Sequence, residues 1–362
     1  MKESLLELFG EHGDGFVSFQ KMCGTLDASL AEVMEVIDAL KEEGYIFEPD
    51  KDLGCRLVSH PDTLTRWELA SRIDTRYIGR FLDTYFISPT STNDLLKKLA
   101  DRAAPEGTSI VADVQEGGKG RRGREWVTPP PGSNIAMSIL LRPHTSPDHL
   151  SPITLVAAMA VRQAIADMMD QEAEDKRTAA DKAGQVAEDK STSEDKAGQV
   201  TEDNQQVLIK WPNDIVFNGG KLTGILTETF FEGEKVSYVV VGIGINVNNE
   251  DFPEELRQKA TSMYLETGRK WSRAELTARI FSCFEELYGR FEAEGFAILS
   301  KEYERYMAGL GKKAMVMERE PWEGTVLGIN EEGAVLISDA AGFVHEISSG
   351  EISIRGINGY SP

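Results

Sequence analysis

The chain has 362 residues, 41% hydrophobic and 27% charged, with a formal net charge of −21. That length accommodates two or three domains with cores of their own, and the composition is ordinary for soluble globular protein. The acidic balance excludes broad nonspecific nucleic-acid binding but leaves room for a local basic site.

No apolar run reaches membrane-spanning length, so no membrane partner is expected, and the opening MKESLLELFGEHGDG lacks the basic-then-apolar layout of a leader. Cys23, Cys55 and Cys283 are scattered, which points to a reducing, cytoplasmic setting. His12, His60, His144, His149 and His345 are equally dispersed, so a His-based metal site or triad has little support.

Residues 1–65 read as three helices and a hairpin. Leu5, Leu6, Leu8 and Phe9 mark a first helix, and Phe19 to Leu26 a short second one. Ser29 can cap a third, in which Leu30, Val33, Met34, Val36, Ile37 and Leu40 recur at helical spacing. Gly44 ends it, and Tyr45 to Phe47 with Cys55 to Val58 form a two-stranded wing. This is the layout of a winged helix-turn-helix. Its third helix exposes Glu32, Glu35 and Asp38, which face phosphates unfavourably. Operator DNA binding and a retained structural or regulatory role are both open. Residues 66–80 are a connector, with a helix around Leu64 to Ile73.

A larger domain is expected over 81–308. Phe81 to Ile87 alternates like a strand and leads through Ser88 to Asp94, rich in hydroxyl and amide groups, into a helix from Leu95 to Ala103. Capping accounts for one or two of those groups, and a small polar ligand could use the others. Ser109 to Gln115 is a second strand, Thr128 to Gly132 a rigid proline turn, and Ile135 to Leu141 a third strand. Ile153 to Met169 is a buried helix.

Residues 170–206 stand apart as an acidic insertion in which Asp181 to Val186 recurs as Asp195 to Val200. With no aromatic and little to bury, this tract reads as exposed, flexible or loosely helical. The core resumes at Val207, and Pro212 ends that strand, placing Asn213 and Asp214 at a strand edge. Ile215 to Phe217 and Lys221 to Phe231 form a hairpin through Asn218-Gly219-Gly220. Val236 to Val247 is a long strand whose Gly242 and Gly244 would leave a slot on one face. Residues 250–308 are mainly helical, and 309–362 alternate with period two as a small β-barrel.

The stretch Gly118 to Arg124 packs three glycines and four cations into seven residues of a strongly acidic chain. Such a loop repels itself unless an anion compensates it, and its arginines match phosphate oxygens. The other reading is an exposed basic turn. Gly118, Gly120 and Gly123 satisfy GxGxxG, yet the prolines at 129–131 forbid the helix a dinucleotide fold needs. A Walker pattern is absent.

Ser91-Thr92-Asn93, Gln115, Gly118 to Trp126, Lys210-Trp211-Pro212-Asn213-Asp214, Lys221 with Gly224-Ile225-Leu226, and Gly242 to Asn246 occur in one order. In that order the chain resembles biotin protein ligases of the bifunctional type, over nearly its whole length except the insertion. The resemblance implies an α+β fold. Its parts would be a winged helix-turn-helix, a central mixed sheet of the class II synthetase-like type, and a carboxy-terminal SH3-like barrel. It implies ATP and biotin as substrates, Mg²⁺, and a biotin carboxyl carrier protein such as that of acetyl-CoA carboxylase as partner, with a homodimer as the assembly.

By the family's pattern Arg121 and Lys221 would be catalytic, at the α-phosphate and carboxylate. Ser91, Thr92, Asn93 and Gln115 would meet biotin, with Gly118, Lys119, Gly120, Trp126 and Gly224 shaping its pocket. Arg122, Arg124, Asn213, Asp214 and Asn246 would join Arg121 on the nucleotide; turn formation is the lesser reading for Asn213, Asp214 and Asn246. No metal ligand is assigned, and Trp271 is only a position to test for adenine stacking. Lys119 stands where the family commonly has Arg, which is harmless if the contact is through the backbone. A biotin-responsive repressor using biotinyl-AMP as corepressor is the alternative function, alone or alongside ligation. A lipoate-attaching enzyme on the related fold is disfavoured by the full basic loop.

Overall fold

In the computed structural model, residues 1–88, 90–127, 130–184, 207–317, 320–348 and 354–356 are described. Pro89, Thr128-Pro129 of the proline turn, the repeated tract beyond 184 and the start of the last strand lie outside them.

Helices α1 (Lys2–His12), α2 (Phe19–Leu26) and α3 (Leu30–Glu42) precede a hairpin of β1 (Ile46–Asp50) and β2 (Gly54–Ser59). Ser18 caps α2, and Ser29 with Glu32 forms a full capping box on α3. Leu5, Phe9, Met22, Val33, Ile37, Leu40 and Phe47 close a core separate from the rest. The connecting helix is shorter than the sequence suggests, with α4 covering only Arg66–Ala70. Glu68 of α4 is fully buried against His60 and Arg72.

The central sheet has seven strands, ordered β3 (Leu82–Ser88), β4 (Ser109–Gln115), β5 (Asn134–Leu141), β9 (Lys235–Asn246), β8 (Gly220–Glu232), β7 (Asp214–Phe217) and β6 (Val207–Lys210). Only β3 and β4 run parallel, joined by α5 (Thr92–Ala100); the other neighbours are antiparallel. Val111, Ile139, Val239, Val241 and Ile243 face a core shared with α6 (Ile153–Gly184) and α8 (Arg273–Glu294). The alternate residues Ile110, Leu140, Tyr238 and Val240 pack instead under Leu96 and Ala100 of α5. The chain continues through α7 (Met263–Thr267) ahead of α8, and α9 (Ala297–Arg305) after it.

A five-stranded antiparallel sheet follows, from β10 (Lys313–Val316), β11 (Trp322–Ile329), β12 (Val335–Ser338), β13 (Val344–Ile347) and β14 (Ile354–Gly356), in the order β13-β12-β11-β10-β14. Its Val316, Val326, Val335 and Ile337 join the central core. Trp211 Nε1 donates to Gly333 O at 3.1 Å, a direct tie between the two sheets.

Helix α6 runs some fifteen residues past the predicted end at Met169, into the tract read as an insertion. Glu172 contacts Arg269, which stacks on Trp271 at 4.0 Å, and Arg279 donates to Gln171. Polar anchors of this kind carry no hydrophobic period, which is why the extension escapes a pattern search.

Arg273, 1% exposed, binds Asp62 of the connector at 2.8 Å and Asp113 of β4 at 2.5 Å. Asp113 also accepts from Gly132 N at 2.9 Å. Removing one partner of a buried ion pair strands the other, so Asp113→Ala should lower stability by about 3 kcal/mol. A urea midpoint unchanged from the parent protein would remove this cluster from the stabilising contacts.

Candidate active site

Past the end of α5 the sheet changes character on the same face. Beyond Tyr238 and Val240, β9 places Gly242 and Gly244 there, beside Ser138 and Ala136 of β5 and Leu226 and Gly224 of β8. A Cβ on Gly244 would meet the Trp126 indole at 2.6 Å, and one on Gly224 would meet it at 2.8 Å. A Cβ on Gly242 would lie 2.2 Å from Asn93 Oδ1. These glycines let Trp126 and Asn93 lie flat on the sheet.

One end of this slot is polar and uncharged. Ser91 caps α5, its hydroxyl accepting from Asp94 N at 3.4 Å. Thr92 N donates to Gln115 Oε1 at 3.2 Å, at the end of β4. Ser138 Oγ lies 2.8 Å from Thr92 Oγ1 and donates to Asn93 Oδ1 at 2.6 Å. Asn93 Nδ2 donates to Glu228 Oε2 at 2.7 Å. The side chains are thus fixed by one another, with the helix N-terminus behind them.

The other end is cationic. The loop after β4 folds back on itself: Gly120 N donates to Arg124 O at 2.7 Å and Trp126 N to Gly118 O at 3.0 Å. A single 3₁₀ turn, Arg121–Gly123, makes the tip, where Gly123 takes φ +71° and Arg122 φ +58°. Glycine adopts that conformation freely, whereas for Arg122 it is strained, costing about 1 kcal/mol.

Arg121 Nη1 donates to Asn213 Oδ1 at 3.1 Å, and Asn213 Nδ2 donates to Ile225 O at 2.8 Å. Lys221 Nζ sits 2.7 Å from Asp214 Oδ1 and 5.6 Å from the Trp126 ring centroid. Burial and the neighbouring Arg122 push the Arg121 guanidinium below its usual value, with Asp214 opposing. It remains charged, since an arginine starts so far above neutrality.

Both cations and the polar end border one cavity, part of it open to solvent. The match to the biotin/lipoate A/B protein ligase family spans residues 84–246, from within β3 to the last residue of β9. Over 357 residues, 98% of each chain, the sequence is 34% identical to a bifunctional ligase/repressor BirA of Bacillus subtilis. The chain belongs to the biotin protein ligase family. Its activity is the ligation of biotin to protein. A biotin–[acetyl-CoA-carboxylase] ligase of Paracoccus denitrificans is 29% identical over 70% of this chain and 92% of its own. A biotin protein ligase from Aquifex aeolicus, solved with biotin and ATP, matches with a TM-score of 0.58 at 26% identity, over 76% of this chain and 99% of that one.

In this ligase Ser91, Thr92, Asn93 and Gln115 line the cavity at one end. Lys119, Gly120, Arg121, Trp126, Asn213, Lys221 and Gly224 complete the expected set that borders it. Gly118, Arg122, Arg124, Asp214 and Asn246 do not line it. Gly118 is needed for loop closure, since a Cβ there would meet Trp126 O at 2.4 Å. Asp214 pairs with Lys221, and the side chains of Arg122 and Arg124 are exposed. Asn246 Nδ2 donates to Thr261 O at 3.0 Å and Lys221 O at 3.4 Å, clasping backbone behind the site. Trp271 is buried under Arg269 and does not line this cavity.

Sequence reasoning passed over Ser138, Glu228 and Asp94, which brace the lining residues. Their partners lie on other strands or helices, and only the alternation of β8 and β9 hints at a shared face. Gly244→Val should displace Trp126 and weaken biotin binding roughly thirtyfold, about 2 kcal/mol. Titration calorimetry with biotin, giving parental affinity in that variant, would contradict the glycine floor.

Proposed function

We propose that the cavity binds biotin and ATP and joins them in the first of two steps. Biotin's carboxylate attacks the α-phosphate, giving biotinyl-5′-AMP and pyrophosphate. A lysine amine of a biotin carboxyl carrier protein, as in acetyl-CoA carboxylase, then attacks the acyl carbon and AMP leaves. One observation carries this reading: Arg121 and Lys221 converge on one end of a slot with a glycine floor and a far end of amides and hydroxyls. That slot suits a ureido ring, an aliphatic chain and a carboxylate that becomes a mixed anhydride. The ligands in the Aquifex relative support it.

The attacking carboxylate is ionised at neutral pH, so the first step needs positioning and charge neutralisation rather than a base. Arg121, oriented by Asn213, would hold the phosphate, and Lys221, oriented by Asp214, the carboxylate and bridging oxygens. Ser91, Thr92 and Gln115 would meet the ureido ring, the Lys119 backbone would face biotin, and Trp126 would cover the chain. Among the described residues no cluster of three carboxylate, His or Cys ligands exists. With Asp214 beside the cations, the donors fit Mg²⁺ carried by the phosphates rather than caged by protein. Such an ion would neutralise phosphate charge.

The test is labelled biotin or lipoate with ATP, Mg²⁺ and a carrier domain. Label should pass from biotin to the carrier lysine, and preferential transfer of lipoate would overturn the substrate assignment.

We read residues 1–65 as a winged helix-turn-helix, 66–80 as the connector, 81–308 as the catalytic domain with the 170–206 insertion, and 309–362 as an SH3-like barrel. A repressor function is favoured by the description of the Bacillus relative. Charge opposes it: residues 1–60 hold thirteen carboxylates against five cations. Lys41 pairs with Asp38 at 2.9 Å and Arg56 with Glu48 at 2.6 Å. A mobility shift on the gene's own upstream DNA that requires biotin and ATP would establish the repressor; none at low salt leaves the ligase alone. The edge strand β3 exposes Phe86 (66%) and Ile87 (50%), which suits sheet-to-sheet homodimerisation. A sedimenting monomer in the presence of biotin and ATP would rule that out.

A further inference from the structure

The Lys119 side chain leaves the loop and reaches α5, with Nζ 2.6 Å from Asp94 Oδ2 and 2.8 Å from Oδ1. Asp94 also accepts from Thr90 Oγ1 at 3.1 Å and from Lys97 Nζ at 3.3 Å. Lys97 Nζ in turn lies 2.6 Å from Glu228 Oε1, while Glu228 Oε2 accepts from Asn93 at 2.7 Å. An unbroken run of charge-assisted contacts therefore joins the basic loop to the floor of the slot. Burial acts to raise the Asp94 carboxyl, but the hydrogen bonds from Lys119, Lys97 and Thr90 outweigh it and hold it below its ordinary value.

We propose that Asp94 is a positioning residue for loop closure. Through Lys119 it latches the loop over the acyl-adenylate, and through Lys97 and Glu228 it ties the closed state to Asn93. The proposal rests on the reading of the cavity as a biotinyl-adenylate site. It gives the Lys119 side chain a task distinct from its backbone contact and distinct from the phosphate duty of Arg121. A half-exposed pair of this kind supplies a modest effect, about fivefold in a rate constant. A helix-stabilising ion pair with no part in closure would leave ligand release untouched.

The test uses the full chain, with labelled biotinyl-AMP formed in place and its release followed in an unlabelled chase. Asp94→Asn keeps the shape and the Thr90 bond, and should release the adenylate about fivefold faster while adenylate formation stays within about twofold of the parent. Lys119→Gln should also release the adenylate about fivefold faster, Lys119→Arg should restore slow release, and the double variant should release it no faster than either single one. Parental release from Asp94→Asn, or effects of the two substitutions that multiply, would overturn the latch. Equal losses in formation and in release would also overturn it, as the mark of a general structural defect. Failure of the parent protein to form adenylate would remove the reading of the cavity, and the latch with it.

Discussion

Lys221→Gln should slow adenylate formation and transfer alike, each by about a thousandfold. The Lys221 ammonium sits at the cavity with Asp214 at 2.7 Å and the Trp126 ring at 5.6 Å, so it is aimed before any ligand arrives. In the first step it would offset charge gathering between carboxylate and phosphate; in the second, charge on the acyl oxygen and departing AMP. Glutamine can still donate to Asp214 but carries no charge, which separates electrostatic stabilisation from packing. Rapid quench with labelled biotin resolves the two steps. A loss confined to one step would split the double role, and a loss in biotin KM alone would make Lys221 a binding residue only.

Arg121→Gly should behave differently. Formation continues, but the adenylate escapes about a hundredfold faster, because the guanidinium held by Asn213 at 3.1 Å no longer closes on the phosphate. A mixed anhydride free in solution acylates any exposed amine, so unrelated lysine-bearing proteins in the same tube should become labelled. Retention on a gel-filtration column and labelling of a bystander protein measure the two consequences. Parental retention would take the clamp away from Arg121.

Much of the site can be read from residue types. Four cations among glycines in a chain of net charge −21 call for an anion, and the spaced glycines of β9 announce a bare face. Strand β4 is legible because its apolar residues are bounded by turn formers, and it agrees with the sequence reading to the residue. What the sequence hides is pairing at a distance. Asp62, Asp113 and Arg273 meet across 211 positions of chain, and nothing in their local context marks them as a cluster. Asp94 looks like an ordinary first-turn acid of α5, a good position for any helix, and only the fold brings Lys119 to it. Asn246 fails to line the cavity for a related reason: the family's pattern put it on the nucleotide, but its amide is used on backbone carbonyls. The acidic tract, read as exposed and flexible or loosely helical, begins as a continuation of α6 whose polar anchors to Arg269 and Arg279 carry no hydrophobic period.

The loop from Gly118 to Trp126 is expected to act as a lid that keeps a reactive acyl-adenylate from water until the acceptor lysine arrives. Limited trypsin digestion tests this directly, since Lys119, Arg121, Arg122 and Arg124 all lie within it. After one turnover with biotin, ATP and Mg²⁺ but no carrier, about one biotinyl-AMP per chain should remain bound, and cleavage at those four positions should slow at least tenfold relative to the unliganded protein. Adenylate that forms and stays bound while the loop is cut at its original rate would contradict the lid.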